Sequence, residues 1–194
     1  MKSILRNGGL SLLALAALMG AYLLGIQLTG NFATVVAGEV YRSNQPTPAR
    51  LEVYEKAHGI RSIINLRGDS NGEDWYQQEL ASAKKLSIAH YDFAMSDREE
   101  LSADRAKQLV ALMEKAEKPL LIHCKAGADR TGLASALYLA KYAGSSEQDA
   151  EAQLSIRYGH ISLSLSPSNA MDRTFEKLEH WLGYSNPKRN DGLG

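Results

Sequence analysis

The sequence predicts a three-layer α/β domain, a central and mostly parallel sheet flanked by helices, behind an N-terminal transmembrane helix. Three observations carry this expectation. Short β-branched runs alternate with amphipathic segments along most of the chain. Leu10 to Leu28 is polar only at Ser11 and Gln27, and no charge falls between Asn7 and Gly38. Of 194 residues, 44% are apolar and 23% charged, a balance that suits one ordinary core and excludes a disordered chain.

The N-terminal segment comes first. Lys2 and Arg6 precede the apolar run and no acid does. About 20 apolar residues span a bilayer as a helix, and basic flanks stay on the cytoplasmic side. The expected division is a signal-anchor over 1–30, a folded domain over 31–183 outside the cytoplasm, and a disordered tail over 184–194. The alternative is a cleaved signal peptide and a secreted domain. Its best small-residue site, Val35-Val36-Ala37, falls inside the first expected strand. Signal-peptide cores are also usually about 7–15 residues. A retained anchor, leaving the domain periplasmic, is therefore preferred.

Strands are expected at Thr34–Val36 and Val40–Arg42, around Gly38. Thr47 and Pro48 open a helix as cap and first residue, and Gly59 closes it. Arg61–Leu66 is a β-branched run between glycines and reads as a buried strand. A helix over Trp75–Lys85 and a strand over Ile88–Met95 follow. Ser102 caps a helix whose Ala106, Leu109, Val110 and Met113 share one face. Pro119–Ile122 reads as a strand, and Thr131–Ala143 as a helix apolar nearly all round and hence buried. Ser145 and Gln148 have capping-box spacing. Met171, Phe175, Leu178 and Leu182 mark the last amphipathic helix.

Composition removes several functions. One Cys excludes an intramolecular disulfide framework and a Cys-based zinc cluster. Zero net charge leaves no footprint for nucleic acid. Beyond residue 30 the chain is net acidic by two.

The chemistry is concentrated where the strand ending at Ile122 runs into His123-Cys124-Lys125-Ala126-Gly127-Ala128-Asp129-Arg130-Thr131-Gly132 and then a helix. A strand-to-helix loop turns successive N–H groups inward, and the helix dipole adds positive potential. Lys125, Ala126, Gly127, Ala128, Asp129 and Arg130 would supply that phosphate cradle, with Gly127 allowing close backbone approach. The field that holds an oxyanion also favours a thiolate at Cys124. Arg130 can grip two phosphate oxygens with its planar fork. Nucleophile, cradle and clamp together describe attack on a phosphate monoester.

HCKAGADRTG resembles the H-C-x5-R-[ST] signature of the protein tyrosine phosphatase superfamily. Val40–Pro46 (VYRSNQP) and Ile64–Gly68 (INLRG) resemble its compact dual-specificity group, especially bacterial exported members. The resemblance covers about Asn31 to Leu182. It implies a cysteine-dependent phosphatase in which Cys124 forms a phosphocysteine, and an Asp from a separate loop protonates the leaving oxygen and then activates water.

Asp97 is the preferred acid, because it lies past the expected strand on a loop 27 residues before Cys124. Asp92, inside the strand, and Glu99 or Glu100 are the alternatives. His123 is expected to orient Cys124 by hydrogen bonding. Thr131 is expected either to cap the helix or to bond the Cys124 sulfur. Arg42, Asn65 and Arg67 are expected to be scaffold hydrogen-bonders. Asp129 counts against multiply phosphorylated inositols and their lipids.

The expected substrate is a phosphorylated protein, including other membrane proteins, carrying phosphotyrosine and by extension phosphoserine or phosphothreonine. Inner-membrane lipid surrounds the N-terminal helix in this reading. No metal, cofactor or nucleic acid is expected. The alternatives are a phosphorylated lipid or other small phosphate ester as substrate, and, without turnover, a phospho-binding pseudophosphatase.

Overall fold

Adjacent isoleucines such as Ile63 and Ile64 point to opposite faces of a strand, so both faces must be covered, and such runs form the inner strands of a five-stranded sheet. The computed structural model describes residues 2–163 and 166–184, excepting the side chains of residues 2–10 and 12. The elements are α1 (Lys2–Leu28), β1 (Ala33–Val36), β2 (Val40–Ser43), α2 (Pro48–His58), β3 (Ser62–Asn65), α3 (Asp74–Lys85), β4 (Ala89–Asp92), α4 (Ala103–Lys115), β5 (Leu120–His123), α5 (Asp129–Tyr142), α6 (Glu147–Glu151) and α7 (Asn169–Leu182). A 3-10 turn covers Ile156–Tyr158.

The strand order is β1-β2-β5-β3-β4. β1 runs antiparallel to β2, and the other three pairings are parallel, so the sheet is mixed and mostly parallel. Alternate strand residues feed two cores. Tyr41, Ile63 and Leu121 pack with Leu51 and Tyr54 of α2 and Ala83 of α3. Val40, Ile64 and Ile122 pack with α4, α5 and α7. This is the expected three-layer arrangement, with α5 buried along most of its length.

Thr47 and Ser102 cap their helices as expected, each accepting from the N–H three residues on. Several boundaries shift by a residue or two, and a cap and a strand end differ more tellingly. Ser146, not Ser145, caps α6, and its hydroxyl accepts from Asp149 N. β4 stops at Asp92 rather than Met95, because its partner β3 ends at Asn65. Of the expected tail, residues 185–194 lie outside the described residues. Tyr184 is held, its hydroxyl donating to Ser145 O at 3.0 Å.

The N-terminal expectation needs correction. The segment is helical, but no helix among the described residues is long and apolar enough to cross a membrane. Its last turns are occupied by the domain. Tyr22 OH donates to Arg157 O at 2.7 Å, Ile26 and Leu23 abut Gly159, and Gln27 Nε2 donates to Ala126 O at 3.0 Å.

The register places the site. Ser43 and Asn65 both pair with His123, and Asn65 also pairs with Asp92. The carboxyl ends of four parallel strands are thus level. Loops leaving them converge at one edge, where ligands of open α/β sheets bind.

Candidate active site

The loop after β5 is shaped by what holds its carbonyls. Gln45 N donates to Lys125 O at 3.3 Å. Gln27 Nε2 and Asn31 Nδ2 donate to Ala126 O at 3.0 and 2.9 Å. Arg42 Nη2 donates to Gly127 O at 2.8 Å and Ala128 O at 3.4 Å. With successive carbonyls fixed outward, the N–H groups are left facing the concave side. Gly127 N points at Cys124 Sγ, 3.2 Å away. The helix that follows has no side-chain cap at Ala128, so its first-turn N–H groups stay available to an anion.

Gly127 is required for a reason the sequence did not show. Its φ is +69°, and a Cβ there would lie 2.6 Å from Ser43 O and Asn44 N. The glycine lets the loop lie against the end of β2. Arg42 is wholly buried. It bonds Gln153 through Nη1 at 2.9 and 2.8 Å and stacks on Tyr158 at 3.8 Å. Burial draws its guanidinium down to about 10.

Cys124 lies buried at the base of the loop. Arg130 Nη1 donates to Met95 O at 3.3 Å, and its Nε is buried without a partner. Asp97, about half exposed, has Oδ2 3.9 Å from Arg130 Nη2. The structure therefore pairs Asp97 with Arg130 on the loop that opens at Cys124. Asp92 is committed elsewhere: Asn65 Nδ2 donates to Oδ1 at 2.8 Å and Tyr76 OH to Oδ2 at 2.5 Å. Glu100 pairs with Arg173 and Lys177 of α7, and Glu99 is exposed. Lys125 is exposed at the rim.

Two expected bonds differ. His123 does not reach Cys124. Its Nε2 is 3.1 Å from Glu79 Oε1, and its Nδ1 is buried without a partner. The Thr131 hydroxyl makes neither a helix cap nor a bond to sulfur, and is buried without a partner.

Several residues escaped the sequence reading. Glu79 is buried and receives His123, His90 (2.7 Å) and Gln45 Nε2. Burial pushes its carboxyl up, but the His123 charge and the bonds from both histidines outweigh this and bring it down to about 2. A signal existed, since Tyr76, Glu79 and Ala83 share the buried face of α3 at 3-and-4 spacing. Gln45 passes the network to Arg67, whose Nη1 donates to it at 2.8 Å. Arg67 lies 3.3 Å over the Trp75 ring, and burial together with the Arg130 charge lowers its pKa. It is a scaffold hydrogen-bonder, as expected, and also a cation facing the site. Asn65 braces the neighbouring loop, its Oδ1 accepting from Arg67 N at 2.9 Å.

This arrangement, a cysteine beneath an open helix terminus with an arginine returning at the rim, defines a class that comparison bears out. The chain belongs to the tyrosine phosphatase family, whose model matches residues 24–153. It is similar to the inositol diphosphatase SIW14 of Saccharomyces cerevisiae, 32% identical over 107 residues, or 53% of this chain and 36% of that protein. It is also similar to the human dual specificity protein phosphatase CDC14C, 28% identical over 102 residues, 51% of this chain and 21% of the relative. The chain thus spans about a third or less of these relatives. Among solved structures, TpbA of P. aeruginosa shares the fold with a TM-score of 0.60 at 19% identity, over 80% of this chain and 92% of that one.

Proposed function

We infer that the protein hydrolyses phosphate monoesters through a phosphocysteine at Cys124, with phosphotyrosine on proteins as the leading substrate and phosphoserine or phosphothreonine as further ones. The observation that carries this is one loop and uncapped helix terminus that hold both the Gly127 N–H aimed at Cys124 Sγ and Arg130 paired with Asp97. The thiolate attacks phosphorus, and an S–P bond forms as the ester P–O bond breaks. Asp97 gives its proton to the departing oxygen. It then takes a proton from water, which attacks phosphorus, breaks the S–P bond and returns the thiolate. Arg130 and the loop amides hold the equatorial oxygens throughout.

A second reading, a small multiply phosphorylated ester, is favoured by one observation. The Asp129 carboxylate, which the sequence set against such substrates, is 2.7 Å from His160 Nδ1 and so faces a partner rather than standing free. The similarity to SIW14 points the same way.

Location outside the cytoplasm belongs to the proposal; with no spanning helix among the described residues, its support is the charge pattern alone, Lys2 and Arg6 ahead of a charge-free run to Gly38. One experiment tests both parts. Sealed spheroplasts are given a phosphotyrosyl peptide that cannot cross the membrane, and lysates are assayed beside them. Spheroplasts should hydrolyse it, and Cys124→Ser should abolish this because a serine hydroxyl does not ionise in that cradle. Activity in lysates alone removes the location. Activity that survives in Cys124→Ser removes the mechanism.

A further inference from the structure

His160 lies outside the loop signature, on the segment after the 3-10 turn, yet it is 1% exposed and placed between two carboxylates. Its Nδ1 is 2.7 Å from Asp129 Oδ1 and its Nε2 is 2.9 Å from Asp172 Oδ2. A neutral imidazole carries one N–H, and an ionised carboxylate only accepts. Two carboxylates on opposite ring nitrogens therefore require both nitrogens to be protonated. We propose that His160 is a positioning residue held as an imidazolium, which draws the Asp129 carboxylate away from the phosphate cradle and offsets its charge so that the loop can take a dianion.

Position makes the consequence specific. Asp129 opens α5 and immediately precedes Arg130. An uncompensated carboxylate there would oppose the field that Arg130 and the helix terminus provide. His160 instead turns the side chain toward α7, which supplies Asp172 as the second partner. The charged groups acting on the ring are Asp129 from α5 and Asp172 from α7. Burial disfavours the cation, but the bonds to Asp129 and Asp172 outweigh burial and bring His160 up to about 9. The cation and the compensation it gives are therefore present at neutral pH and are lost as pH rises through about 9.

The proposal rests on the phosphate-binding reading of the loop, and tungstate, a non-covalent oxyanion, tests the two separately. Its inhibition constant is measured on the full chain across pH 6–10 for wild type, His160→Gln, and His160→Gln with Asp129→Asn. His160→Gln should weaken tungstate about tenfold, the size of one unit charge at several ångströms in a partly screened site. KM should rise more than kcat falls. The double variant should recover most of the affinity, because the charge needing compensation is gone. Wild-type affinity should fall above about pH 9, and the double variant should lack that step. A structural role alone would give neither the rescue nor the step. Should His160→Gln fail to fold, the wild-type pH series still decides. Unchanged affinity in a folded His160→Gln, or no step in wild type, overturns the role of His160. If wild type does not bind tungstate at all, the phosphate-site reading itself falls.

Discussion

The loop after β5 and the segment after β4 meet at Arg130 but are built on opposite terms. Between Lys125 and Ala128 every carbonyl has a donor, drawn from α1, the α1–β1 link and β2 and its following loop. From Ser96 to Glu99 the chain is largely exposed, held before it by Met95 N on Leu66 O and after it by the Glu100 pairs with Arg173 and Lys177 and by Leu101 N on Thr174 Oγ1. The first region can hold a phosphate without rearranging. The second can bring an acid in and let it withdraw. Binding and protonation are thereby separated in the structure, so they should separate under mutation.

The largest break belongs on the exposed side of the comparison. Asp97→Asn should cut turnover of phosphotyrosine by about 10²–10⁴-fold, the usual weight of a general acid, and cost little stability because the side chain is half exposed. Activated aryl phosphates should suffer less, and tungstate should still bind. Asp92→Asn should do the reverse, weakening the Asn65–Asp92–Tyr76 contacts and the fold more than the chemistry. If the two exchange behaviour while both are folded, the acid is Asp92. Steady-state kinetics with thermal melts read both.

A smaller break belongs on the pinned side. Gly127→Ala forces a side chain into a left-handed conformation and against the β2 backbone. A strained residue of this kind costs about 1–3 kcal/mol, so the melting temperature should fall and KM should rise. Unaltered stability and KM would mean that the loop adapts and is not fixed by its packing on β2.

Much of this was legible in advance because it is local. HCKAGADRTG announced the strand, loop and helix, and the 3-and-4 spacing of Ala106, Leu109, Val110 and Met113 placed α4. What stayed hidden depends on residues distant in sequence. Gln27 and Asn31 reach Ala126 across nearly a hundred positions, and no periodicity marks them. His160 sits in a connecting stretch in which nothing local marks it as the partner of Asp129 and Asp172. Local reasoning erred where tertiary contact intervened: the apolar run of α1 looked continuous, but its last turns serve the domain.

The central claim is the covalent step at Cys124, and trapping tests it most directly. Asp97→Asn should slow hydrolysis of the intermediate as well as its formation. Mixed with an activated aryl phosphate and quenched within a turnover, it should carry one phosphoryl group, located by peptide mass spectrometry on Cys124. Phosphate found on another residue, or turnover of the aryl phosphate with no protein-bound phosphate at any time, would contradict the account.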